Sequence, residues 1–527
     1  MSDAIARGEV SLGIELGSTR IKACLIDDAS SEVLATGEFA WENRYVDGLW
    51  TYGLDEVWIG VAAAYAQLAE AVRDRFGAPL SRVGAIGVSA MMHGYLAFDA
   101  TGELLVPFRT WRNTSTGAAA ERLSALFEQN IPLRWTVAHL YQAVLDGEPH
   151  LERLDFCTTL AGYVHWRLTG ERVLGVGDAS GVFPIDDETR DYDEARLAAF
   201  DAATGTALPR PARQLLPSVL VAGREAGRLT VAGARLLDPS GVLEPGVPLC
   251  PPEGDAGTGM VATCAVAPRS ANVSVGTSVF AMVVLEHAMN GMHHEIDLVT
   301  TPAGDPVAMV HCNNGASELA AWAGLFEQFA AAAGAAVTGD AVFAALYGAA
   351  AQGEPDGGGL LVYNQLSGEP IAGLEEGRPL VVRTPGSRFD LANFMRAQVY
   401  GVFATLSLGM EVLASERVAI DRVQAHGGVF RTAGVAQQIL ADALDAPVAI
   451  AETASEGGAW GMAVLAAYLR FADAPLHDHL ERRVFAGTRA SVLDPDPAGV
   501  AGYSASLARY RSGLAIEVAA LAVLPSG

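Results

Sequence analysis

The chain has 527 residues, 50% of them hydrophobic and 18% charged. That length predicts two to four domains with cores of their own, and the balance excludes a disordered chain. With 61 acidic against 35 basic residues the net charge is −26, which argues against a nucleic-acid partner because duplex-binding surfaces are basic. An anionic ligand on such a chain needs local N–H donors and a divalent cation.

The five cysteines, Cys24, Cys157, Cys250, Cys264 and Cys312, form no CxxC pair and are expected as reduced thiols. The first ten residues, MSDAIARGEV, lack the basic-then-apolar pattern of a secretory signal. Polar residues interrupt the Ala-rich stretches 61–72 and 318–336 before either reaches bilayer length. The expectation is a cytoplasmic protein with no membrane partner.

Residues 10–27, VSLGIELGSTRIKACLID, predict strand, tight polar turn and strand. Gly17, Ser18 and Thr19 form the turn. Its backbone N–H groups and hydroxyls suit phosphate oxygens. Glu15 stands just before it, where a carboxylate can reach a phosphate-bound metal. Lys22 stands just after it and is the only lysine in the chain. A third strand follows at 32–39, then a long amphipathic helix at 55–76 with Asp55 and Glu56 in its first turn.

A buried strand over 82–89 ends in Met91-Met92-His93-Gly94. Strand ends of α/β sheets are where ligands gather, so His93 fits a hydroxyl-rich ligand as well as it fits the core. A short strand at 95–98 leads toward Trp111-Arg112-Asn113. Helices are expected near 116–128 and 150–169. Asp178 suits a site wall or an Asx-type turn.

Residues 251–259, PPEGDAGTG, place Asp255 in a Gly-rich turn before a helix beginning near Thr258. A carboxylate there suits general-base work, metal binding or helix capping. The strand–turn–strand pattern then returns at 271–286 around Gly276, Thr277 and Ser278. His293-His294-Glu295-Ile296-Asp297 resembles a metal cluster, but adjacent strand residues face opposite ways, which disfavours a shared ion. Asn313-Asn314-Gly315 is expected to cap a helix from 317 to 333. A long helix is expected over 389–413, and a strand at 423–426 delivers Gly427-Gly428. No GxxxxGK[ST] loop occurs, and no GxGxxG follows a strand.

Two glycine–hydroxyl hairpins far apart in one chain predict an α/β protein of two actin-like, ribonuclease H-like ATPase domains with a cleft between them. In this order the motifs resemble the FGGY family of carbohydrate kinases from Gly13 to about Tyr468. The first phosphate motif is matched by Gly13 to Lys22, with Glu15 where the family usually has Asp. The sugar motif is matched by Met92-His93-Gly94, which is similar to the version in xylulokinases. Trp111-Arg112-Asn113 stands for the family's Trp-x-Asp, and Gly254-Asp255 for its catalytic Gly-Asp. Gly276-Thr277-Ser278, the 366–370 segment LSGEP, Gly427-Gly428-Val429 and Gly461-Met462-Ala463 complete the set.

The resemblance implies three parts: 1–247 with the sugar site and first phosphate hairpin, 248–475 with the catalytic Asp and adenine site, and a helical tail at 476–527. It implies ATP and Mg²⁺, a homodimer, and transfer of phosphate to a primary hydroxyl of a ketopentose, D-xylulose first. Ribulose, another ketose or a polyol are the alternatives, and an ATP-binding scaffold without kinase activity is the reading of a different class. Asp255 takes the role of general base and, with Glu15, of Mg²⁺ holder. Met92, His93, Trp111 and Asn113 take the sugar. Gly17, Ser18, Thr19, Lys22, Gly276, Thr277, Ser278, Gly427 and Gly428 take the nucleotide.

Overall fold

The computed structural model describes residues 2–432, 434–451, 457–488 and 490–524. They form two compact units. The first is built from residues up to 267, from 298–307 and from the stretch ending at 487; the second takes 268–297, the run from 308 to 451, and the C-terminal residues from 488 on. These limits differ from the expected 1–247, 248–475 and 476–527. The Asp255 segment and the Gly457–Tyr468 helix pack in the first unit. The expected tail divides, because the strand Ala490–Leu493 pairs with Val448–Ala451 in the second.

The main sheet of the first unit contains β1 (Val10–Leu16), β2 (Arg20–Asp27), β3 (Val33–Ala40), β4 (Ala85–Ala90) and β5 (Glu253–Gly254) in the order β5-β4-β1-β2-β3. The first hairpin is antiparallel, with Glu15 opposite Lys22. Strand β4 runs parallel to both β1 and β5, so Leu16, Ala90 and Gly254 end at one edge of the sheet. The helix Leu54–Phe76 buries Val57, Val61, Ala64, Tyr65, Leu68 and Val72, the 3.6-residue period that its sequence predicts. Gly37 of β3 lets that helix approach closely, as an added Cβ would meet the carbonyl of Ala64.

The Gly457–Tyr468 helix packs on β1 and β4 in the same way. A Cβ on Gly13 would meet the backbone of Ala459 and Ala463, and one on Gly87 would meet Met462. The expected helix over 150–169 is instead a 3₁₀ turn at Pro149–Arg153, a strand at Phe156–Thr158 and a helix at Leu160–Thr169. The strand forms because Phe156, Cys157 and Thr158 pair with Leu96–Phe98. A helix at Thr136–Asp146 was not foreseen.

The second unit repeats the pattern with β6 (Ser270–Val275), β7 (Val279–Val284), β8 (Pro306–Cys312), β9 (Arg422–Gly427), β10 (Val448–Ala451) and β11 (Ala490–Leu493), in the order β8-β7-β6-β9-β10-β11. Again a hairpin, β6–β7, lies beside a parallel neighbour, β9, which ends level with it: Val275 opposes Gly427. The helix Leu391–Ser415 is long and apolar enough by composition to cross a bilayer, yet 78% of its most apolar window is buried inside the protein. Asp390 caps it by accepting from the Asn393 N–H. The helix Ser317–Ala332 begins at Ala316 with no side-chain cap; Asn314, expected to cap it, bonds elsewhere. All five cysteines are free thiols.

Candidate active site

In the first unit, chemistry gathers just past the ends of three adjacent parallel strands. The Gly17–Thr19 turn follows β1, Met91-Met92-His93 follows β4, and Asp255 follows β5. This is where α/β sheets place ligands.

The first turn is held by its carbonyls. Gly17 O accepts from Trp41 Nε1 at 2.7 Å, Ser18 O from the Tyr52 hydroxyl at 2.7 Å, and Thr19 O from Trp41 N at 3.1 Å. The Trp41 and Tyr52 rings stack at 4.2 Å. With its oxygens tied inward, the turn offers amides and the hydroxyls of Ser18 and Thr19 to an anion.

Glu15 is partly buried against the start of the Gly457–Tyr468 helix, where the Ala459 N–H donates to it. Burial, and then repulsion from Asp255, push its pKa to about 7; Lys22, its cross-strand neighbour, opposes the rise. Gly458 is required here, since a Cβ would collide with the Glu15 carboxylate and the Thr258 hydroxyl.

Asp255 opens the helix Asp255–Ala262, with Gly254 as N-cap. The helix starts earlier than expected, so Asp255 lies in its first turn and is not the cap. Its Oδ1 accepts from Met92 N at 3.1 Å, and the Ala256 N–H also faces the carboxylate. Burial raises its pKa and these donors lower it, with burial the larger effect. Two carboxylates that repel one another, both partly reachable, fit a hard divalent cation, which binds oxygen ligands and retains waters. Among the described residues no group of three or more His, Cys, Asp or Glu is arranged around a metal, so phosphate and water would supply the remaining ligands. His293 instead bonds Glu416 at 2.8 Å.

Met92 and His93 are buried. His93 adopts φ of 73°, a left-handed backbone that costs a non-glycine residue about 1 kcal/mol. Its Nδ1 lies 3.4 Å from Gly181 O and its ring stacks on Trp135. Glycines at 181 and 254 make room for the Met92 side chain.

Asn113 is placed differently from a sugar ligand. Its Oδ1 accepts from Trp50 N at 2.9 Å, and its Nδ2 donates to Trp50 O at 2.8 Å and Thr110 O at 3.0 Å. Both amide protons are therefore used within the protein. Trp111 is 36% exposed, while Arg112 stacks 3.9 Å above the Trp50 ring.

One acid, Glu253, escaped the sequence reading, and a second, Asp178, was weighed there without its partner. Glu253 is buried and accepts from Asp178 N at 3.0 Å; Gly175 and Gly177 leave it space that a Cβ would fill. Burial, then the nearby Asp178, raise its pKa well above the usual carboxyl range. Asp178 accepts from Thr159 Oγ1 at 2.6 Å, so it forms no Asx turn, and burial raises its pKa to about 7. Asp178 is thus near enough to both Glu253 and Asp255 for their charges to repel.

In the second unit the Gly276–Ser278 turn is tied down the same way. Gly276 O accepts from Ala316 N at 2.9 Å, Thr277 O from Gly315 N at 2.7 Å, and Ser278 O from Gly276 N at 2.9 Å. Gly427 has φ of 125°, and its Cβ would fall well under 3.0 Å from Val275 O, whereas Gly428 faces open space. A pocket of about 530 Å³ adjoins Gly428 and the turn, lined by Val275, Gly276, Phe343, Tyr347, Val429 and Arg431 among others. Its size and apolar walls suit a purine base.

The sequence profile of the N-terminal domain of the FGGY family of carbohydrate kinases matches residues 10–261, and that of the C-terminal domain matches 271–470. A xylulose kinase of Klebsiella pneumoniae is 24% identical over 497 residues, 89% of this chain and 91% of that enzyme. A xylulose kinase of Escherichia coli (strain K12) is 26% identical over 274 residues, and that alignment spans about half of each protein, 51% and 52%. The solved xylulose kinase from Rhodospirillum rubrum has a TM-score of 0.79 at 21% identity, covering 96% of this chain and 98% of that one. A gluconate kinase from Lactobacillus acidophilus also reaches 0.79, at 16% identity with 98% of both chains covered. These likenesses show the ribonuclease H-like, actin-like ATPase fold of sugar kinases. With both family domains matched in order, the chain belongs to the FGGY family of carbohydrate kinases.

Proposed function

We propose that this protein is an ATP-dependent ketopentose kinase, with D-xylulose as its substrate. The observation that carries the reading is Asp255: a carboxylate of raised pKa, fixed by Met92 N, at the C-terminal edge of a sheet whose neighbouring turn carries hydroxyls and amides.

Phosphoryl transfer asks a protein mostly for positioning and charge stabilisation. Asp255 accepts the proton of the attacking primary hydroxyl. Its desolvation makes it a stronger base than a free carboxylate, so the proton transfer is easier. Met92 and His93 hold the sugar, and the strained His93 backbone fixes the ring's direction. The Gly17–Thr19 turn of the first unit and the Gly276–Ser278 turn of the second each carry N–H and hydroxyl groups that suit phosphate oxygens. Lys22 adds a positive charge beside Glu15. The base rests in the pocket beside Gly428. Glu15 and Asp255 would hold Mg²⁺, which supplies charge neutralisation at the phosphates when bound. Asn113 fixes the Trp50 main chain.

Support for xylulose over other sugars comes from the two xylulose kinase relatives and from Met92-His93. The test is ADP release with D-xylulose, L- and D-ribulose, gluconate and glycerol, each at saturating Mg-ATP. Turnover with D-xylulose at least tenfold above the rest supports the assignment. Preference for another sugar reassigns the substrate, and no stimulation by any of them favours the scaffold reading.

A further inference from the structure

The second phosphate turn has one hydrogen bond of its own, Gly276 N to Ser278 O, and is otherwise held from outside. Its Gly276 and Thr277 carbonyls hang from Ala316 N and Gly315 N. Gly315 is itself pinned, because its carbonyl accepts from Asn364 Nδ2 at 2.8 Å. Its contact with the turn is so close that an added Cβ would lie 2.5 Å from Gly276 O and 2.9 Å from the Ser278 carbonyl. Whatever sets the height of residues 313–316 therefore sets the height of the turn.

That setting is made by a carboxyl from another loop. Glu369 is fully buried, and its Oε2 accepts from Asn314 N at 3.2 Å and Asn314 Nδ2 at 3.1 Å. The Asn313 N–H also faces this carboxyl. Asn314 returns the grip, as its Oδ1 accepts from Leu366 N at 2.9 Å and Ser367 N at 3.0 Å. Loops 313–316 and 366–369 are one clasp, closed by a carboxyl that touches no surface. The first turn, by contrast, is held by the Trp41 and Tyr52 side chains.

We propose that Glu369 is the positioning residue of the second phosphate turn: through Asn314 and Gly315 it fixes where Gly276, Thr277 and Ser278 present their N–H and hydroxyl groups to the nucleotide. The nucleotide part rests on the kinase reading above; the mechanical part does not. A buried carboxyl accepting several N–H bonds is among the stronger anchors available, and losing one such bond is worth about tenfold or more in an equilibrium.

The test uses the full chain with four variants, Glu369→Ala, Glu369→Gln, Asn314→Ala and Gly315→Ala. Hydrogen exchange is read without nucleotide, Mg-ADP affinity by calorimetry, and KM for ATP and sugar in the ADP-release assay. Expected for Glu369→Ala and Asn314→Ala is faster exchange at the Gly315 and Ala316 amides, with Kd for Mg-ADP and KM for ATP raised about tenfold or more and the sugar KM within about twofold. Glu369→Gln restores most of the affinity, because its amide oxygen still accepts from Asn314. Gly315→Ala weakens nucleotide binding by displacing the turn directly. Unchanged exchange and Kd in both alanine variants, or a sugar KM rising in step with that for ATP, overturns the proposal. If Glu369→Ala does not fold, Asn314→Ala and Gly315→Ala decide. Wild-type protein that binds no Mg-ADP while Glu369→Ala still speeds exchange sinks the kinase reading and leaves the anchor standing.

Discussion

Replacing Glu15 by glutamine should make this protein more stable and less active at once. Burial, reinforced by Asp255, lifts the Glu15 pKa from 4.5 to about 7. The folded protein therefore binds this proton more tightly than the unfolded chain. Stability is unpenalised below the unfolded value, falls as pH rises from there, and bears the full penalty above about 7. Each pH unit between the two values is worth ~1.4 kcal/mol, so the penalty at pH 8 is about 3 kcal/mol. Glutamine keeps the shape and can still accept from Ala459 N, but carries no charge to desolvate. The Tm of the first unit should rise by roughly 4–5 °C at pH 8. At pH 5 the gap should shrink to about a quarter, because Glu15 of the folded wild type is then mostly protonated. Turnover should fall about tenfold or more, through loss of a charge that would help hold Mg²⁺. Scanning calorimetry of both proteins at pH 5 and pH 8 decides the matter. Equal melting temperatures at pH 8 would refute the claim that this carboxylate carries a buried, strained charge.

Asp255→Asn should lower turnover by about 10²–10⁴, read in the ADP-release assay. Because burial raises the Asp255 pKa, wild-type kcat/KM should decline as pH falls and this base takes up a proton. Asn113→Ala should cost about 1–3 kcal/mol by stripping the Trp50 main chain of its partners, seen as faster hydrogen exchange over 44–51; a raised sugar KM with unchanged exchange would instead make Asn113 a direct ligand. Gly427→Ala should abolish Mg-ADP binding or prevent folding, since its Cβ cannot fit beside Val275 O. With a single lysine in the chain, an amine-reactive reagent should label only Lys22 and the N-terminus, and Mg-ATP should slow labelling at Lys22 alone.

Both hairpins were legible because strand alternation and a glycine–hydroxyl turn are local signals only a few residues long. Asp255 was legible as a carboxylate in a Gly-rich joint between strand and helix. What escaped depends on distant partners. Glu253 meets Asp178 from 75 residues away, and Glu369 meets Asn314 from 55. Nothing in the pattern around any of these four announces the pairing. Asn113 adds the reverse case: its motif position suggested sugar, and its amide bonds Trp50 on a hairpin 63 residues earlier, which the motif does not announce. The stretch 150–169 has helical composition, and pairing with Leu96–Phe98 overrode that preference over Phe156–Thr158.

Gly13 and Gly87 let the Gly457–Tyr468 helix lie directly on β1 and β4, and Arg470 reaches Asp28 at 2.7 Å. The opening strand of the chain is thus covered by a segment made some 440 residues later, the separation of that ion pair. A ribosome at mid-gene has released every strand of the first sheet but not the lid over its core. The early half must wait, with apolar surface uncovered, while the intervening unit is synthesised. Slow, late closure of this kind invites chaperone capture, and a stop codon even shortly before residue 457 would leave the Glu15 strand without its seat.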